Sequence, residues 1–142
     1  MRRFFLLALV LLLTSCSSRE RQALRYLEEQ FPGVAFTVKD AGPVIPLYYP
    51  GHKLMTIAGL MKDPSSTEFE QACRHFEAAM DLERYSADHP GECNAKGFIA
   101  WVKSPSGAMD VVFFVDGSGE VIDSTLGLQR RYNEILKAVY DL

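Results

Sequence analysis

Cys73, His75, His89 and Cys93 carry the donors of a structural zinc site, two thiolates and two imidazoles. Their spacing argues against one. On a helix, Cys73 and His75 project about 200° apart around the axis, so they cannot converge on one ion without breaking that helix. His75 then reads as a solvated helix residue and His89 as a loop residue. The same thiols suit a disulfide, because an even pair of cysteines in an exported chain meets an oxidising compartment. From Cys73 to a helix end near Tyr85 is roughly 18 Å. The chain from there to Cys93 can reach back roughly 26 Å when extended. Closing the loop would stabilise the fold by about 3 kcal/mol in the chain-entropy model. Two free thiols, one of them in a buried helix stripe, are the alternative.

Nucleophilic chemistry has less to draw on. The chain lacks a Gly-x-Ser-x-Gly elbow, and Ser118 sits between two glycines in a turn, not between a strand and a helix. The carboxylate pairs Asp81/Glu83 and Asp116/Glu120 suit helix surfaces and turns, and the second lacks the ligands and length of a calcium loop. No glycine-rich loop has phosphate-binding spacing. The sequence therefore assigns no catalytic residue, no metal ligand and no cofactor-binding residue. An enzyme stays open only through groups that the fold itself would assemble.

Binding is better provided for. Residues 43–52 (PVIPLYYPGH) are apolar and aromatic, yet punctuated by Pro43, Pro46 and Pro50. Aromatic side chains on a proline-stiffened loop lose little entropy on docking. Leu47, Tyr48, Tyr49 and His52 are the candidate partner-binding residues. The competing reading is that Ile45, Leu47 and one tyrosine cap the open end of the core. Trp101 has a similar double reading, covered by a helix or exposed.

The elements that must position these residues follow from hydrophobic periodicity. Residues 19–31 read as a helix with Leu24, Leu27 and Phe31 on one face, stopped by Pro32-Gly33. Residues 34–39 alternate as a half-buried strand. Residues 41–53 read as a loop, since proline cannot serve a central strand. Residues 54–61 read as a short helix, and 67–85 as a long one opened by a Thr67/Glu70 capping box. Its stripe is Phe69, Ala72, Cys73, Phe76, Ala79, Met80 and Glu83. After a loop over 87–95 come strands at 98–103, 111–115 and 120–124, joined by tight turns and hence antiparallel. The apolar run 111–115 reads as a central strand covered on both faces. Residues 126–140 close the chain as a helix with Leu128, Tyr132, Ile135, Leu136 and Val139 on one face. The expected fold class is α+β: an antiparallel sheet of about four strands packed by helices, in a single globular domain over 19–142.

The N-terminus has its own chemistry. Arg2 and Arg3 precede an uncharged apolar run over 4–13, too short for a bilayer span of roughly 20 residues. Leu13-Thr14-Ser15-Cys16 follows. That motif resembles the lipobox, and on it the chain is similar to bacterial lipoproteins. The resemblance covers only these first residues. It implies cleavage of a signal peptide over 1–15 and lipidation of Cys16 by diacylglycerol on sulfur and an N-acyl (palmitate) chain, with no other cofactor. Residues 16–18 are then the lipidated terminus and a short tether. Ser17, not Asp, follows the cysteine, which by the same resemblance implies the outer membrane in a host that has two.

Without Arg2 and Arg3, thirteen of the fifteen basic residues remain against eighteen acidic ones. That balance argues against a nucleic-acid surface, which needs a basic face, and gives no second electrostatic anchor to anionic lipid. The expected function is a membrane-anchored cell-envelope lipoprotein acting as a non-catalytic binding module for an envelope protein or a ligand. The alternative is a small-ligand carrier or enzyme with a pocket between sheet and helices.

Overall fold

A computed structural model describes residues 18–140. The expected signal peptide, the candidate lipidation site Cys16 and the start of the expected tether lie outside the described residues. The elements are α1 (Ser18–Gln30), β1 (Thr37–Lys39), β2 (Ile45–Leu47), α2 (Gly51–Leu60), α3 (Thr67–Met80), α4 (Leu82–Asp88), β3 (Ala95–Ser104), β4 (Gly107–Val115), β5 (Val121–Ser124) and α5 (Thr125–Tyr140). The α+β architecture is as expected, with every strand pair antiparallel.

The sheet runs β1-β3-β4-β5, and β2 also pairs with β3. β1 and β2 occupy the same edge of β3 in turn. Thr37 to Lys39 face Lys103 to Trp101, and Ile45 to Leu47 face Gly97 to Ala95. Between them Asp40 takes a left-handed φ of 56°, a conformation that Asp tolerates better than most side chains. Gly42 N–H then continues the ladder to the Ile99 carbonyl at 2.8 Å. Residues 45–47 were expected in a loop because of Pro46. They form a strand because β2 lies at the sheet edge, where a missing N–H interrupts no inner ladder.

The sheet is covered on both faces, so the core has two halves. On one face, Ala23, Tyr26 and Leu27 of α1 pack against Phe98, Val102, Val111 and Phe113. On the other, Ile57 of α2, Phe69 and Phe76 of α3, Tyr85 of α4, and Leu128 and Tyr132 of α5 close over Phe114 and Leu47. β4 is the central strand the apolar run predicts. Val111 and Phe113 point to one half of the core and Phe114 to the other, each fully buried.

Several boundaries differ from expectation, and the short helix and strands β3 and β4 start three or four residues earlier than expected. The helix expected over 67–85 breaks at Asp81 (φ −83°, ψ 79°), whose carboxylate accepts from Arg84 N–H at 3.2 Å and caps α4. Asp favours such local capping over a helix interior. At the start of α3 the cap is Ser66, not Thr67: its hydroxyl accepts from Phe69 N–H at 3.1 Å. The strand expected from residue 34 starts only at Thr37, and Val34 stays exposed.

Candidate functional site

β5 runs directly into α5, and the junction is Asp123-Ser124. Ser124 is fully buried and caps α5, its Oγ accepting from Gly127 N–H at 3.0 Å. This is the ordinary duty of a serine at a helix start. Asp123 is 3% exposed and collects four donors. Its Oδ1 accepts from Ser124 N–H at 2.9 Å and from the Tyr26 hydroxyl at 3.0 Å. Its Oδ2 accepts from the Tyr49 hydroxyl at 2.6 Å and from Arg131 Nη2. A carboxylate this buried is tolerable only when paired and hydrogen-bonded, and here it is both.

The donors come from both sides of the sheet. Tyr26 belongs to α1, on one face. Tyr49 enters from the β2–α2 connection on the other, its ring against Phe114 with centroids 4.8 Å apart and its N–H on Asn94 Oδ1 at 2.8 Å. Asp123 can serve both because β5 is the edge strand. A β-carbon on Gly127 would sit 2.8 Å from the Tyr26 hydroxyl and 3.0 Å from Asp123 Oδ1, so the cluster needs glycine there. Burial first, then the Asp123 charge, pushes the Tyr26 phenol up to about 12. Burial and the hydrogen bond to Asp123 push Tyr49 higher still. At Arg131 burial opposes the charge, and the Asp123 carboxylate outweighs it, so its pKa rises.

This cluster closes one end of a groove of about 1060 Å³ between α2 and α5. Leu54, Met55 and Ala58 of α2, Met61 just after it, and Ile135 and Ala138 of α5 make apolar walls. Tyr49, His52, Asn94, Asp123 and Arg131 form the polar end, with Glu134 also on the lining. Met55 is 75% exposed. Methionine at a groove suits a surface that adapts to what it holds.

The candidate partner-binding residues divide. Leu47 and Tyr48 are buried in the core, in line with the competing reading in which Leu47 and one tyrosine cap it, while Ile45 stays exposed. The reason is packing: β2 brings Leu47 under the helices, and the Tyr48 ring lies 4.2 Å from that of Tyr85. Tyr49 is half-buried and His52 exposed, and both line the groove. Trp101 is half-buried beneath the Lys39 ammonium, 5.7 Å from its ring centroid.

The chain's three histidines meet around Tyr48 and Tyr85. His52 Nδ1 is 2.9 Å from the Tyr49 carbonyl, which can only accept, so Nδ1 carries the proton and Nε2 accepts from the Tyr48 hydroxyl at 3.0 Å. The Tyr85 hydroxyl donates to Glu92 at 3.0 Å and lies 3.2 Å from His75 Nε2, while His89 stacks on the Tyr85 ring at 3.9 Å. Cys73 and Cys93 take no part. Cys73 is on α3, packed against the core, where burial raises its pKa first and Tyr132 lies in hydrogen-bonding reach. Cys93 is exposed before β3, beside Pro46, Val115 and Asp116. Both are free thiols in this structure. Among the described residues, no group of three or more His, Cys, Asp or Glu is arranged to hold a metal ion.

Asp123, Tyr26 and Arg131 were not singled out from sequence. The only local signal is an Asp placed just before the serine that caps a helix, with an arginine two turns along that helix. Comparison of the chain with protein-family models, with curated proteins and with solved structures finds no match.

Proposed function

We propose that this protein is a lipid-anchored module of the cell envelope that binds a small amphiphile in the α2–α5 groove. The observation that carries the reading is the pairing of apolar walls with a prebuilt polar end at Asp123. Ligand pockets are mostly apolar, with a few polar groups fixed in advance to orient what enters. The groove's apolar walls suit a hydrocarbon or ring system. Its polar end suits an uncharged hydrogen-bonding group, because Arg131 is already neutralised by Asp123. Binding without turnover is favoured because the Asp123 carboxylate is saturated by four donors and has no lone pair to spare as a base. Lipidation at Cys16 rests on the N-terminal motif, and places such a domain where amphiphiles are abundant.

The reading replaces a docking loop with a groove. Burial of Leu47 and Tyr48 favours that change, since neither is available to a partner.

The test is a groove-filling variant. Ala58 is an exposed residue of α2 that lines the groove, so Ala58→Trp fills it without entering the core. The full chain should bind an uncharged fluorescent probe with an apolar body, such as N-phenyl-1-naphthylamine. Ala58→Trp should weaken that binding about tenfold or more, which is a loss of about 1.4 kcal/mol, at an unchanged melting temperature. Undiminished probe binding by the variant would remove the groove from the account.

A further inference from the structure

We propose that the sheet edge formed by β1, residues 41–44 and β2, together with the first turns of α1, is the face that rests on the membrane, and that it fits an anionic phospholipid surface. The inference depends on lipidation at Cys16.

Cys16 and the first helical residue, Ser18, are two residues apart, a reach of roughly 7 Å along the chain. The first turn of α1 is in turn fastened to the sheet edge: Glu20 Oε1 accepts from Ala41 N–H at 3.2 Å. Gly42, the next residue, is bonded to the Ile99 carbonyl at 2.8 Å. A lipid on Cys16 therefore holds the start of α1, and this edge with it, near the bilayer surface.

The same edge has the composition that an interface selects. Val44, Ile45 and Ile99 are large apolar side chains left 43%, 39% and 43% exposed. Beside them is Trp101, on β3 directly opposite Lys39 of β1; like Ile99 it projects from the sheet face opposite α1, so the edge presents the apolar patch on one side and α1 on the other. Trp and Lys at the boundary of an apolar patch are the residues that settle at headgroup depth.

Charge supplies an independent observation. Although the chain is acidic overall, the exposed arginines Arg19, Arg21 and Arg25 all precede the exposed Glu28 and Glu29 along α1. That order opposes the helix dipole, which favours acidic residues at the start and basic ones at the end. Placed next to the anchor, the arginines meet anionic headgroups, each such contact adding to membrane attraction. Glu20 is turned inward onto Ala41, and the exposed acids beside this patch are Asp40 and Asp110, which pairs with Trp101 from β4.

Trp101 is the only tryptophan in the chain, so its fluorescence reports on this face alone. The experiment uses full-length protein purified from membranes, its acyl mass confirmed, and reconstituted into phosphatidylethanolamine/phosphatidylglycerol vesicles with brominated acyl chains. Trp101 emission should shift to the blue and lose roughly half its intensity relative to unbrominated vesicles. The triple variant R19E/R21E/R25E changes only exposed side chains and keeps the anchor. It should lose most of that quenching while its circular dichroism stays the same. Acylated protein whose Trp101 is not quenched would overturn the membrane face and leave the lipoprotein reading standing. Equal quenching in the triple variant would overturn the electrostatic fit. Absence of acyl mass would overturn the anchor and this inference with it.

Discussion

Arg131 reaches back two turns along α5 to bond Asp123, the penultimate residue of the strand leading into that same helix. The ion pair staples the β5–α5 junction, and Tyr26 and Tyr49 tie the junction to the two halves of the core. Asp123 thus joins α1, the β2–α2 connection and α5 through one carboxylate.

Removing that carboxylate should be costly. Asp123→Ala leaves the Arg131 guanidinium and two tyrosine hydroxyls without their acceptor. The expected loss is about 3 kcal/mol, seen as a fall in Tm of roughly 10 °C. Tyr49→Phe removes a single donor and should cost about 1 kcal/mol. Urea unfolding followed by circular dichroism measures both. A change within about 0.5 kcal/mol for Asp123→Ala, the range of ordinary surface substitutions, would show that the cluster does not hold the fold.

Alkali should unfold the domain through its tyrosines. Tyr26, Tyr48, Tyr49, Tyr85 and Tyr132 all have raised pKa values, burial being the first cause in each. A phenol whose folded pKa lies above its unfolded value of about 10 keeps its proton longer in the folded state. Its stabilising contribution is complete below about pH 10 and is lost as pH rises toward the folded value, which is about 12 for Tyr26. Tyrosinate absorbance should therefore lag behind pH 10 and rise together with loss of the far-ultraviolet signal. Tyr26→Phe should lessen the pH dependence. Ionisation of these tyrosines near pH 10 with the fold intact would contradict the buried network.

How much of this could be read from the chain depended on range. The continuous apolar run over 111–115 announced a strand covered on both faces, and the stripe from Phe69 to Met80 announced a packed helix, because each pattern is local. β2 escaped notice because its pairing depends on an edge offered by β3, about fifty residues away in sequence. Between docking and capping the core, the placement of Leu47 and Tyr48 is decided only by that pairing. The Asp123 cluster was least legible. Tyr26 is 97 residues from Asp123 and Tyr49 is 74 residues away, and none of the three belongs to a motif. Only the sheet edge, reached from both faces, brings them together. The N-terminal chemistry is the reverse case: its order of charge, apolar run and cysteine is read in line and needs no fold.

The most direct test of the account is the intact mass of the protein extracted from its own membrane. The account predicts a chain that begins at Cys16 and carries diacylglycerol and N-acyl mass. A chain that retains residues 1–15, or one that begins elsewhere and has no acyl mass, would contradict the lipid anchor on which the proposed function and the membrane face both stand.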